Sequence, residues 1–386
     1  MQELIYLLLP AAAASGWYAA SRYHAKNSSA FRRTSSSPDT LRSIGHWLKM
    51  RPERSSETIA KVLDSEREPY TTHMALAALY RKEGEMEKAI GLHQRLLARE
   101  SLSADERGKV LFELGLDYHR AGLFDRAEEV FLGLVESPFQ RVHALSQLLD
   151  IYQHEKDWRK AIPCLQELRR LGKVRRRETV AQLLCELAQE SRSAARLDEA
   201  ESFARDALRD DGACARATLL LAEIEIARGN PPAALAFLEG VERRTPETVA
   251  EMVRILSAHL DTWPEAEVNA CVERIRASVE GIPEIATLQA LLLARQQGLA
   301  EARRYLSDEA ERNPSFQTLH TLAALMRENS TDSTVWRIME QGLGRFAALN
   351  PRYRCTQCGV AAEQLHWRCP ACRHWETLRL AMGAGA

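Results

Sequence analysis

Net charge is almost absent from this chain: 52 Lys and Arg stand against 53 Asp and Glu over 386 residues. A polyanion partner is therefore not suggested by the overall balance. Val, Ile and Thr are sparse beside Leu, Ala, Glu and Arg, which disfavours strands and favours helices. With 19 Gly and 14 Pro, the chain has too few breakers for a disordered polymer. No phosphate-cradling GxxxxGK(S/T) motif occurs, and "HEKDW" at 154–158 lacks the second histidine of HExxH. "QGLGRF" at 341–346 holds two glycines but follows no strand pattern. These gaps remove the familiar nucleotide-binding and zinc-hydrolase signatures, and nothing else in the helical part forms a catalytic constellation.

Charge is missing too from "LIYLLLPAAAASGWYAA", Leu4 to Ala20. As a helix it spans about 25 Å, the short end of what a bilayer requires. A secretory signal would need a basic leader, and only Gln2 and Glu3 stand between Met1 and the run. A buried core helix would be an odd start before a polar tract. The reading that fits best is a transmembrane anchor over 1–21, with Pro10 tolerated in the span and Trp17 and Tyr18 at an interface. Arg22, His24, Lys26, Arg32 and Arg33 follow it, so the positive-inside rule places the rest of the chain in the cytoplasm. Residues 22–40, ending in the Ser-rich "KNSSAFRRTSSSPDT", read as a flexible basic linker.

Between 41 and 348 the sequence repeats. "MALAALYRKEGEMEKAI", "LFELGLDYHRAGLFDRAEEVF", "LSQLLDIYQHEKDWRKAIPCL" and "LLAEIEIARGNPPAALAFL" share one order. Each has a Leu, a large residue three positions on, a turn, and an Ala before a second apolar run. The anchoring alanines are Ala89, Ala127, Ala161, Ala200, Ala234 and Ala302. They recur roughly every 34 residues, with one double interval that leaves room for a degenerate unit around 249–282. This pattern resembles the tetratricopeptide repeat, a helix–turn–helix unit whose copies stack into one core. The expected fold is all-α: a tetratricopeptide-repeat superhelix. Gly115, Ala77 and Ala222 should let paired helices approach, and Tyr80, Tyr118 and Tyr152 should wedge between neighbours. "KVRRR" at 173–177 reads as a solvated turn, with a contact to phosphates or an acidic partner left open.

Eight cysteines are present, unevenly placed. Cys164, Cys185, Cys214 and Cys271 fall singly in helical segments and read as small buried apolar residues. Cys355-x2-Cys358 and Cys369-x2-Cys372 form two hooks, which together are a strong metal signal. In a reducing compartment they favour a metal over disulfides. Four thiolates satisfy a tetrahedral ion and leave no open position, so one structural ion is expected, zinc or iron. His366 and His374 are weaker candidate ligands. Gly359 after the first hook suits a positive backbone angle, and Pro370 stiffens the second. A module over 349–380 is too small to fold on its apolar core alone. Tyr353, Leu365, Trp367 and Trp375 should surround the cage or dock it onto the last helices. Arg354, Arg368, Arg373 and Arg379 should give it a basic, solvated surface. Residues 381–386 read as a tail.

The span with "LLPAAAASGWYAASR", the repeats "LGLDYHRAGLFDRAEEVF" and "LLDIYQHEKDWRKAI", and the hooks in "PRYRCTQCG" and "WRCPACRHW" together resemble the lipopolysaccharide assembly protein B family along essentially the whole chain. The resemblance implies rubredoxin-like metal ligands at Cys355, Cys358, Cys369 and Cys372, and a membrane-segment signature at Gly16 and Trp17. It also implies an inner-membrane adaptor facing the cytoplasm, without enzymatic activity. Such an adaptor promotes degradation of the UDP-acyl-GlcNAc deacetylase of the lipid A pathway by a membrane AAA metalloprotease of the FtsH type. An inner-membrane regulator that senses lipopolysaccharide restrains it. A general scaffold for lipopolysaccharide synthesis and transport proteins, without a part in proteolysis, is the alternative. Self-association is compatible with either.

Overall fold

The computed structural model describes residues 70–173, 180–238, 245–278, 282–328, 333–349 and 351–381. The apolar run at 4–20, with Gly16 and Trp17, lies outside them, as do the linker, the start of the array, the 381–386 tail beyond Ala381 and all of "KVRRR" but Lys173. Among the described residues no helix is long and apolar enough to cross a membrane. The contacts divide the chain into two compact units that meet between Leu123 and Phe124.

In the first unit, α1 (Tyr70–Glu83), α2 (Met86–Leu97) and α3 (Ala104–Arg120) pack in sequence. Ser103 starts α3 with a reciprocal capping box to Glu106, which satisfies two otherwise orphaned amides. Leu76, Ala77, Tyr80, Ala89 and Leu92 form the core. Beside it Asp117, fully buried, lies 2.6 Å from His93 Nδ1 and accepts a hydrogen bond of 2.9 Å from Arg81. That carboxylate joins all three helices, and its burial is tolerable because both oxygens are engaged.

The second unit begins with α4 (Phe124–Val135) and continues as helical hairpins. These are α5 (Arg141–Glu155) with α6 (Trp158–Arg170), and α7 (Val180–Ser193) with α8 (Leu197–Asp210). Next come α9 (Ala215–Ala227) with α10 (Pro231–Leu238), and α11 (Pro246–Ala258) with α12 (Glu265–Ser278). Then α13 (Pro283–Gln296) pairs with α14 (Leu299–Arg312), and α15 (Phe316–Glu328) with α16 (Ser333–Leu349). "QGLGRF" therefore sits inside α16 and forms no loop.

The anchoring alanines behave as the repeat demands. Ala89, Ala127, Ala161, Ala200, Ala234 and Ala302 are all fully buried; Ala127 lies on α4, and each of the others on the second helix of a hairpin. The degenerate unit is α11 with α12, where Val268, Cys271 and Val272 are buried in place of alanine. The hairpin turns share a left-handed residue: Gly84, Gly122, Gly229 and Gly298, but also Lys156 and Ala195. At the last two a non-glycine residue takes the conformation. All four single cysteines are buried, as expected. Cys185 and Cys214 lie 3.8 Å apart between α7 and α9, a proximity their spacing does not disclose.

Candidate metal centre

Residues 351–381 form a small ribbon. Its sheet has the order β2-β1-β3, with β1 (Tyr353–Cys355) central, β2 (Ala361–Ala362) and β3 (Leu378–Leu380) antiparallel to it. Tyr353 pairs with Ala362 on one side and Leu380 on the other, and Cys355 pairs with Leu378. Tyr353, Cys355, Cys369 and Leu378 make the core, with Val360, Ala362 and Leu365 against it. So few apolar groups cannot hold a fold of this size unaided.

The two hooks repeat one geometry. After the first, Gly359 adopts φ 74°, and its amide donates to the Cys355 carbonyl at 3.0 Å. After the second, Arg373 adopts φ 59°, and its amide donates to the Cys369 carbonyl at 3.0 Å. Glycine takes this conformation freely, whereas arginine is strained in it by about 1–2 kcal/mol. Gly359→Ala should lower the thermal midpoint of the metal-loaded chain by an amount equivalent to roughly 1 kcal/mol. Space around Gly359 is open, so only the backbone angle is at stake there, and Arg373→Gly should raise the midpoint by relieving the same angle. Calorimetry of the three chains checks both signs; equal midpoints would show that the knuckle angle carries no energy.

The four sulfurs converge, all within 4.8 Å of one another. Cys355 and Cys372 are 3.6 Å apart, and Cys358 and Cys369 are 3.7 Å apart. A tetrahedron with metal–sulfur bonds of about 2.3 Å has edges of roughly 3.8 Å, so the set fits one structural ion. Among the described residues no other group of three or more His, Cys, Asp or Glu side chains is close enough to hold one. His366 and His374 are exposed and outside the group. The Cys355 thiol is pushed up by burial, but the Thr377 hydroxyl and the amides of Cys358 and Gln357 outweigh this and bring it down to about 6. A His374 amide favours the Cys372 thiolate, yet burial and the neighbouring sulfurs hold that thiol up at about 12. One thiolate thus forms readily while its neighbour resists, and a bound cation would remove that resistance. The residues that would hold the ion leave it no vacant position for substrate.

Docking of this ribbon departs from the expectation that it meets the last helices. It lies instead against the first helices of five successive hairpins. Arg368 donates to the Gln153 carbonyl of α5 at 2.9 Å, and Gln182 of α7 donates to Glu376 at 2.8 Å. Trp375 meets Trp158, the first residue of α6, edge to face at 6.2 Å. The guanidinium of Arg216 on α9 lies over Trp367, whose ring packs with Leu380 onto the core of α9 to α13. The Leu380 amide donates to Glu247 of α11 at 3.1 Å, and Arg379 lies 4.0 Å from the same carboxylate. Arg352 pairs with Glu284 of α13 at 2.5 Å.

Arg352 and Arg368 therefore serve docking, whereas Arg354, Arg373 and Arg379 are exposed, Arg379 at the rim of the contact with Glu247. The physical reason is complementary charge. Pro246-Glu247 and Pro283-Glu284 open two equivalent helices, and both carboxylates are nearly buried. A carboxylate is stabilised at a helix N-terminus, and these two await cations from the ribbon. The repeated Pro-Glu pair was the sequence signal that could have revealed them.

A family model described as a rubredoxin metal-binding domain matches residues 353–379. Two tetratricopeptide repeat models match 72–105 and 191–258. The chain is 30% identical to the lipopolysaccharide assembly protein B of Escherichia coli (strain K12), over 99% of each chain. It is 28% identical to the protein of the same name from Haemophilus influenzae, over 98% of each.

Proposed function

The chain belongs to the lipopolysaccharide assembly protein B family, and on that premise we propose that it regulates lipopolysaccharide synthesis as an inner-membrane adaptor. In this reading it presents the UDP-acyl-GlcNAc deacetylase of the lipid A pathway to a membrane AAA metalloprotease of the FtsH type. A lipopolysaccharide-sensing membrane regulator restrains it. The observation that carries the reading is the match to relatives so named, which covers 99% of each chain.

The site supports a binding role over an enzymatic one. Four sulfurs close the coordination shell, and a bound ion would fold the ribbon without offering a vacant position. Stacked helical hairpins bind partners through their surfaces. Over α5 to α13, however, the first-helix faces are already occupied by the ribbon, so a bare groove is not what a client meets there. The ribbon's exposed edge, with Thr356, Gln357, Pro370 and Ala371 at the tips of the hooks, is the surface on offer. An anchor at 4–20 would confine this surface to the bilayer plane and raise its effective concentration near a membrane protease.

Depleting the protein should lengthen the deacetylase half-life several-fold in a pulse-chase measurement while leaving its synthesis rate unchanged. In cells lacking the protease, depletion should add nothing. An unaltered half-life would remove the adaptor role.

A further inference from the structure

Two thiols lie together where the ribbon meets the array. Cys185 of α7 and Cys214, the cap residue before α9, are 0% and 1% exposed, and their sulfurs are 3.8 Å apart. Both are free thiols. They share a layer of small side chains with Ala181, Ala188 and Ala217. Packing alone accounts for one small apolar residue at each position. It does not account for the donors gathered around Cys214.

Three groups serve that sulfur. The Cys185 thiol donates to it and holds the Cys214 thiol below its ordinary range despite burial, and the Ala217 amide at the start of α9 adds to the effect. Gln182, itself buried, brings Nε2 to 3.8 Å from the same sulfur. That amide also donates to Glu376 at 2.8 Å, so one side chain connects the sulfur to the ribbon. The bond to Cys214, together with burial, holds the Cys185 thiol well above its ordinary range. A helix N-terminus favours a thiolate, and the pair is polarised accordingly.

We propose that Cys185 and Cys214 are a redox pair, closed by a hydroperoxide into a disulfide that clasps α7 to α9 beside the ribbon. Cys214 attacks the peroxide. A sulfur–oxygen bond forms, the oxygen–oxygen bond breaks, and the alcohol (water, for hydrogen peroxide) leaves with the proton that Cys214 gave up. Cys185 then attacks the Cys214 sulfur, and the hydroxyl departs as water with the Cys185 proton. Two electrons pass from two thiols to one peroxide, and no other reactant is needed. Closure brings the sulfurs about 1.8 Å nearer, to a bond of about 2.0 Å. Cys214 has the freedom for this, because its backbone is extended rather than helical and alanines surround the pair. Exchange with a reducing thiol reopens the bond, so the clasp is reversible.

The test uses the full-length, metal-loaded chain in detergent, titrated with hydrogen peroxide, alkylated in denaturant and digested with trypsin without reductant. The two cysteines fall on different peptides, 178–192 and 210–216, each with no other cysteine. Their disulfide therefore has one identifiable mass. It should form at a dose that leaves the ion bound and leaves Cys164, whose thiol burial pushes up to about 11, fully alkylated. In Cys185→Ala, dimedone should trap Cys214 as the sulfenic acid, with labelling about tenfold or more above that of Cys185 in Cys214→Ala. Metal content and helical circular dichroism should match the parent in both variants. Equal labelling of the two variants overturns the order of attack. Release of the ion before any 185–214 link appears, or a link from either cysteine to another, overturns the pair itself.

Discussion

Removing the metal from the full chain is expected to unfold residues 351–381 and to lower the thermal midpoint of the second unit by about 10 °C or more. The ribbon's own core consists of Tyr353, Cys355, Cys369 and Leu378, two of which are sulfurs of the cage. In small metal-folded domains the ion supplies on the order of 10 kcal/mol, more than such a core can replace. Loss of the ribbon also strips its partners. Glu247 would lose the Leu380 amide, Glu284 would lose Arg352, and Trp158 would lose Trp375. Losing these polar contacts and the apolar cover over Trp158 carries the damage to helices that never touch the metal. Chelation with metal analysis, followed by calorimetry and limited proteolysis, reads both parts. New cleavage should appear within 351–381 first. A metal-free chain with an unchanged midpoint and cleavage pattern would show that the cage is ornamental.

Trp375→Ala should separate docking from metal binding. The ring is 5% exposed and fills the space between Trp158 and the Arg368 guanidinium, which lies 5.5 Å from its centre. Truncating a buried tryptophan costs about 3–5 kcal/mol. Trp375 is not a member of the cage, so the expected outcome is one ion per chain, as before, with a midpoint lowered by about 10 °C. If the adaptor reading holds, the deacetylase half-life should move toward that of depleted cells. Loss of the ion in step with stability would mean that the cage forms only on the array, and a midpoint within a degree of the parent would mean that Trp375 does not fasten the ribbon.

Much of this architecture can be read from sequence because its determinants are local. Ala89, Ala161 and Ala200 are small for a reason confined to one hairpin, and two C-x-x-C hooks announce a cage within a score of residues. The turn at Ala195 escapes notice because a non-glycine residue adopts the left-handed conformation there. Arg373 escapes for the same reason, although it repeats the geometry of Gly359. The docking of the ribbon is not legible. It depends on pairs such as Arg352 with Glu284 and Arg368 with Gln153, whose members are far apart along the chain and unremarkable in type. The Cys185–Cys214 pair belongs to this class as well.

The bond from Arg368 to Gln153 joins positions 215 apart, and that from Gln182 to Glu376 joins positions 194 apart. Stacked hairpins alone make a nearly one-dimensional polymer, free to fray unit by unit from either end. A ribbon that returns to grip five units converts that polymer into a closed ring of contacts, so the units it spans open together or not at all. Closing the ring must wait until residues 351–381 have been made and find their ion. A chain cut short, or starved of metal, would carry every hairpin and still lack their cooperativity.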